Sequence, residues 1–281
     1  MPNRILRFIG GACIAIVLPT PTAVLASHSW NGYHWGRTTN PFLIQVGNNL
    51  SGVWSPLSSS SYTEALTDWS NPPPDLPTEL RLSSVPGGVS NTKRCPPTAG
   101  RVEVCNNIYG NNGWLGIAQI WLSGSHITQG TVKLNDTYFN TASYNKPEWR
   151  NLVLCQELGH TLGLDHQDTN NFNVNLGTCM DYTSNPRPLL PLLNNEHPNR
   201  HDYEQLVTIY THTDSAGTAT VNQISPNLPN EAGGNNRSEW GMLMRSTHGG
   251  RTELFIRDLG GGHQLATFVI WAEGRNRAPT P

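Results

Sequence analysis

The residues best equipped for chemistry lie in one run, Cys155-Gln156-Glu157-Leu158-Gly159-His160-Thr161-Leu162-Gly163-Leu164-Asp165-His166. Gln156 and His160 are four apart, so on a helix they share a face. Glu157 follows Gln156 and reaches the same space. Gly163 is where a helix can stop, because glycine adopts positive φ at little cost. A chain that turns there returns His166 toward His160. Two imidazoles, one amide oxygen and one carboxylate would then surround a single point. Imidazole nitrogens suit zinc, and a carboxylate beside the metal is placed to move protons.

The elements that must position these groups are legible on both sides of the run. Asn145-Lys146-Pro147-Glu148 reads as a helix start, with Asn145 as cap, proline in the first turn and glutamate three after the cap. Trp149, Leu152/Val153, Gln156 and His160 then follow at helical spacing along one stripe. Ahead of this helix, Pro41 to Val46 and Leu80 to Ser84 read as strands. Ser61-Tyr62-Thr63-Glu64 reads as a capping box opening a helix over Tyr62 to Trp69. Val102 to Tyr109, Leu115 to Leu122 and Thr131 to Tyr138 read as further strands, the last two joined across Gly124 to Gly130. Behind the run, Thr169 to Gly177 is an asparagine-rich loop and Asn199 caps a third helix with Tyr203, Leu206/Val207 and Tyr210 as its apolar stripe. Asp214 to Ser238 reads as a linker or long loop. Gly241 to Ala272 reads as three short strands turning at Gly249-Gly250 and Gly260-Gly261-Gly262. Such a small sheet needs something to pack on, and it is expected to dock on the rest. No internal repeat is present.

Composition bounds the class. Arg4 and Arg7, the apolar run Phe8 to Leu18 and Val24-Leu25-Ala26 fit a signal peptide over residues 1–26, with Ser27 starting the mature chain. A membrane anchor fits less well, since the run is short and Pro19 and Pro21 interrupt it. Without Arg4 and Arg7, 16 basic residues face 20 acidic ones, a balance that argues against a nucleic-acid partner. No later segment is apolar enough to span a bilayer, so the mature form is expected to be secreted and free of the membrane. Cys95, Cys105, Cys155 and Cys179 remain after Cys13 leaves. An even count in an exported chain reads as two disulfides with three possible connectivities; a bond from Cys95 to Cys105 would close a small surface loop. A cysteine-ligated zinc is weak as an alternative, since no C-x-x-C pair exists. Asn49, Asn135 and Asn236 open glycosylation sequons, which matter only in a glycosylating host.

The run Gln156 to His166, Q-E-L-G-H-T-L-G-L-D-H, resembles the metzincin signature H-E-x-x-H-x-x-G-x-x-H, with Gln156 in place of the first histidine. Downstream, Cys179-Met180-Asp181-Tyr182 is similar to the methionine-containing turn that metzincins place beneath their zinc, and in some of them a tyrosine two positions after that methionine approaches the metal. The resemblance covers about Pro41 to Tyr210. It implies an α+β fold: a twisted mixed sheet with packed helices, an active-site helix and the Met turn, over residues 27–213. Residues 214–240 would then be the linker and 241–281 a small C-terminal β segment. It implies Zn2+ held by Gln156, His160 and His166, Glu157 as general base, Tyr182 as an oxyanion donor and Met180 as a floor. It also implies a Cys155–Cys179 disulfide tying helix to turn, and with it Cys95–Cys105. The expected activity is that of a secreted zinc endopeptidase acting on extended polypeptides added to an edge strand, as a monomer. No cysteine precedes Cys95 in the mature chain, so latency through a pro-segment thiol is not expected.

Gln156 admits three outcomes: it ligates; it is displaced and two histidines plus water hold the metal; or the site is inert and the protein binds without cleaving. An amide oxygen is a poorer zinc ligand than imidazole, which predicts weaker metal retention. Asp165 reads either as an acceptor orienting His166 or as a solvated loop acid. His28, His34, His126, His197, His201, His212, His248 and His263 sit in polar, loop or helix-end contexts and read as solvated or packed groups.

Overall fold

The structure is a computed structural model and describes residues 27–55, 57–168, 174–189, 193–219 and 233–274. The expected signal peptide, much of the asparagine-rich loop and the middle of the expected linker lie outside the described residues. The fold is mixed α/β, with one large sheet and few helices. Among the described residues no helix is long and apolar enough to cross a membrane.

Nine strands make the sheet: β1 (His34–Trp35), β2 (Phe42–Asn49), β3 (Leu80–Pro86), β4 (Arg101–Asn107), β5 (Trp114–Ser123), β6 (His126–Asn135), β7 (Met242–Thr247), β8 (Thr252–Gly260) and β9 (His263–Trp271). Their order is β3-β2-β4-β6-β5-β9-β8-β7, with β1 pairing with the start of β6. The half from β3 to β6 is parallel and the half from β5 onward antiparallel. Four helices accompany it: α1 (Ser61–Ser70), α2 (Asp136–Phe139), α3 (Pro147–Thr161) and α4 (Arg200–Ile209).

Several expected boundaries move, each for a local reason. The β5–β6 hairpin turns at Gly124-Ser125 and β6 begins at His126, so Gly124 to Gly130 is not a loop. Thr128, Gln129 and Thr131 are buried inside the strand, and Thr128 satisfies its hydroxyl on the Trp121 carbonyl. The α1 cap is Ser60, one residue before the expected box, because Ser61 turns inward to Asn151 on α3. Lys146, not Asn145, precedes α3, and the Asn145 carbonyl is taken by Arg150. The cap of α4 is as expected: Asn199 accepts from the N–H groups of His201 and Asp202, and Asp202 bonds back to the Asn199 amide.

The largest difference concerns the C-terminal strands. They do not form a sheet of their own but extend the main one, β9 lying antiparallel along β5 from Trp114↔Trp271 to Ser123↔His263. Alternation divides β9 between two cores. Ala266, Phe268 and Ile270 join the main core beneath α3, while Val269 and Trp271 join Tyr109, Trp114, Ile117, Trp240 and Phe255 on the opposite face.

Candidate metal centre

Helix α3 is buried all round rather than along one stripe, every residue from Trp149 to Thr161 being inaccessible. It packs on α1 and on β5 and β6. Gly116 on β5 allows the close approach: a Cβ there would lie 2.6 Å from Val153 and 2.8 Å from the Glu157 carboxyl. Gly159 does the same toward Met180, whose sulfur occupies the space a side chain would need. Met180 is fully buried directly against the helix. Cys155 and Cys179 are joined, with Cα atoms 5.9 Å apart, and so are Cys95 and Cys105, the pairing the resemblance implied.

The helix ends in a Schellman motif. Leu164 N–H donates to the Gly159 carbonyl and Gly163 N–H to that of His160, with Gly163 at φ 94°. The N-terminal segment fastens the chain that follows: Trp30 N–H bonds the Gly163 carbonyl, Asp165 N–H bonds the His28 carbonyl, and Ser29 bridges Leu164. This reversal brings the His160 and His166 rings to 4.7 Å, edge to face.

Each motif side chain is oriented by a second contact. His160 Nδ1 lies 2.9 Å from the Leu164 carbonyl, which can only accept, so the ring proton sits on Nδ1 and Nε2 carries a lone pair. Burial pushes the His160 pKa down to about 3 and keeps the ring neutral. His166 Nδ1 faces Asp165 Oδ1 at 3.5 Å, and its buried Nε2 has no partner. Gln156 donates both amide protons, to Cys179 O at 2.7 Å and Asp181 O at 3.2 Å. Two carbonyl acceptors fix which end of the amide faces them, leaving Oε1 a buried acceptor without a donor. Neither Glu157 oxygen makes a hydrogen bond of ordinary geometry. Burial holds its proton well above the usual carboxylate range, with the Ala118 amide working the other way. The Tyr182 hydroxyl is buried without a partner, and burial raises its pKa.

Asp165 is an orienting group, not a solvated one. It is 5% exposed, accepts the His166 N–H at 2.7 Å and pairs through Oδ2 with Arg245. Burial opposes its ionisation, but His166 and Arg245 together hold it below the ordinary carboxylate range.

The sequence reading missed what the C-terminal strands bring. Phe268 of β9 stacks face to face on His160, centroids 4.2 Å apart at 10°. His248, read as a solvated or packed group, is buried at the β7–β8 turn with its ring 5.5 Å from His166 and 5.7 Å from Tyr182. Its Nε2 lies 3.1 Å from Asp168 Oδ1 and 3.9 Å from Asp181 Oδ1, so these three residues form another set able to hold a cation. Burial lowers the His248 pKa to about 4 and raises that of Asp181 to about 6. The crevice between His166, Arg245, Leu254 and Phe268 leaves no room for a water molecule. β5, whose Gly116 lies against Glu157, is interior to the sheet, its outer side paired with β9. No signal in the sequence pointed to His248 or Phe268, which lie more than 80 residues from the motif. In comparisons with known proteins, no family matched the chain and no curated protein matched it.

Proposed function

We propose that the chain is a zinc-dependent endopeptidase on the metzincin plan, with Gln156, His160 and His166 as ligands. One observation carries the reading: all three motif positions present acceptor atoms, and two of these, Gln156 Oε1 and His166 Nε2, are buried with no protein donor. Buried acceptors without partners are costly, and a cation shared among them removes the cost. The donor set, two imidazoles and one amide oxygen, suits zinc, though less firmly than three imidazoles. The position of Met180 under Gly159 and the Cys155–Cys179 bond support the same plan. Two disulfides agree with an exported protein.

Zinc bound there would supply Lewis acidity toward a carbonyl and make hydroxide available near neutral pH. Glu157, beside Gln156 on α3, would be ionised by the cation's charge, which opposes the effect of burial, and would then take the proton released and hand it to the leaving amine. Tyr182, its phenolic proton retained by burial, would donate to the developing oxyanion. Leu164 and Asp165 would hold the two imidazoles in the tautomers that expose Nε2. A polypeptide could add to β5, the strand that Glu157 packs against, only if β9 left it, since strand and substrate would use the same main-chain groups.

That occupancy of β5 is also the one observation favouring a second reading, a non-catalytic binding protein on the same scaffold. Metal analysis combined with cleavage of an unfolded protein, with and without chelator, separates the two. On the enzyme reading, His160→Ala loses zinc and Glu157→Ala keeps zinc but loses chelator-sensitive cleavage. Gln156→His should retain zinc more tightly. If the wild type holds no zinc at this centre and Glu157→Ala matches it in every assay, the enzyme reading is lost.

A further inference from the structure

A second group of histidines gathers outside the motif, where β1 meets the segment after α4. His34 lies in β1, His126 opens β6 in register with it, and His212 and Asp214 follow α4. His34 Nε2 and His212 Nε2 are 3.2 Å apart, and each lies 3.6 Å from Asp214 Oδ1. Ligand atoms about 2.0–2.1 Å from a tetrahedral zinc are separated by about 3.3 Å. The observed triangle matches that spacing to within a few tenths of an ångström. Its His34–His212 edge is also within hydrogen-bonding distance, but the two 3.6 Å edges to Asp214 are not.

The surrounding contacts fix each ligand atom. His34 Nδ1 lies 2.6 Å from the Gly32 carbonyl and must donate, which leaves Nε2 as the lone-pair atom facing the cluster. The His34 ring is only 5% exposed, so water does little to satisfy it. Asp214 Oδ2 is occupied by the Arg37 backbone N–H at 3.1 Å and guanidinium at 3.0 Å, which turns Oδ1 inward. His126 Nε2 approaches that same Oδ1 at 3.2 Å. The His212 side chain is half exposed, leaving one side open for a water as fourth ligand.

We propose that His34, His212 and Asp214 form a divalent-metal site of the zinc type, separate from the motif. Imidazole and carboxylate donors with one open position suit zinc among the common divalent ions. The ion would join β1, and through it β6, to the segment leaving α4, so that His34 and His212, 178 residues apart, meet at one point. The proposal does not depend on zinc at the motif.

The test uses the full chain carrying His160→Ala and His166→Ala, which removes the motif as a source of binding. Zinc is titrated by calorimetry, and cobalt(II) is added as a spectroscopic probe. The expected result is one metal equivalent, with visible cobalt bands of a low-coordinate nitrogen–oxygen site. Adding His212→Ala, or the milder His212→Gln, should weaken zinc at least tenfold and abolish the bands. Metal binding that is unchanged by both His212 variants would belong elsewhere, for example to Asp168, Asp181 and His248, and would overturn the proposal. So would the absence of any zinc binding in the His160→Ala/His166→Ala chain.

Discussion

Gly163→Ala tests the reversal that carries His166 back to His160. Two costs apply at this position. At φ 94° an alanine is strained, by about 1–2 kcal/mol. Its Cβ would also fall inside contact distance of the Tyr33 backbone carbonyl oxygen, and backbone cannot swing aside as a flexible side chain can. Relieving such overpacking costs about 1–3 kcal/mol. The stiffer unfolded chain returns about 0.4–1 kcal/mol, so the net loss should be about 2–4 kcal/mol. Gly124→Ala is the matched control. It also has positive φ, 60°, but a Cβ there meets nothing within 4 Å, and its net loss should be about 1 kcal/mol or less. Urea denaturation with the disulfides intact gives the two values. At about 2–4 °C per kcal/mol for a chain of this size, thermal melts should separate the variants by several degrees. Equal losses at the two glycines would refute the close approach of Tyr33, and with it the claim that the N-terminal segment clamps the turn.

Two further perturbations probe the C-terminal strands and the sheet interior. Phe268 is 2% exposed, stacks on His160 and meets Trp30 edge-on at 5.1 Å, so Phe268→Ala should cost about 3–5 kcal/mol in a urea titration; Met242→Ala on the exposed face of β7 should cost under about 0.5 kcal/mol. A loss below about 1 kcal/mol at Phe268 would mean that β9 does not pack under α3. Lys133 is buried and burial lowers its pKa to about 7, its Nζ donating to Gly234 O and Asn235 Oδ1 at 2.9 Å each. The unfolded chain keeps this proton up to about pH 10.5 while the folded chain releases it above about 7, so between those values the unfolded state binds more protons and stability rises with pH. The wild type should therefore gain stability on Lys133→Met from pH 7 to 10; a flat difference would refute the burial of a titrating amine.

What was legible in the sequence was local. The Asn199 cap, the C-terminal strands set off by their glycine turns, and the role of Gly163 each depend on residues a few positions apart. What was not legible depends on partners chosen at long range. Ser61 looks like a cap until Asn151 takes its hydroxyl, and Asn145 looks like one until Arg150 takes its carbonyl. Thr128 and Gln129 look like loop residues because nothing nearby announces that a sheet will bury and satisfy them. The three C-terminal strands were found, but an antiparallel strand carries no local mark of which edge it will join. For the same reason His34, His212 and His248 read as unremarkable: ligands contributed by distant segments have no spacing to recognise.

The pairing of β9 with β5 bears on how the proposed metal centre could meet a peptide. A peptide added to β5 would gain the main-chain bonds that β9 already makes, and would pay about 4–15 kcal/mol in lost translational and rotational freedom that a tethered strand does not. The tethered strand also brings Phe268 onto His160, while the β7–β8 turn sets His248 beside His166, so the C-terminal strands compete with side chains as well as backbone. In the intact chain, peptide chemistry is therefore limited to the fraction of molecules in which β9 is detached. Amide hydrogen exchange measures that fraction: the β5 N–H groups bonded to β9 exchange only when the strand leaves. If they exchange well before the β6 amides bonded to β4, the centre opens by a local motion, as the peptidase reading requires. If both sets exchange together, at the free energy of global unfolding, the centre never opens in the folded chain, and the binding-protein reading displaces the peptidase for the intact molecule.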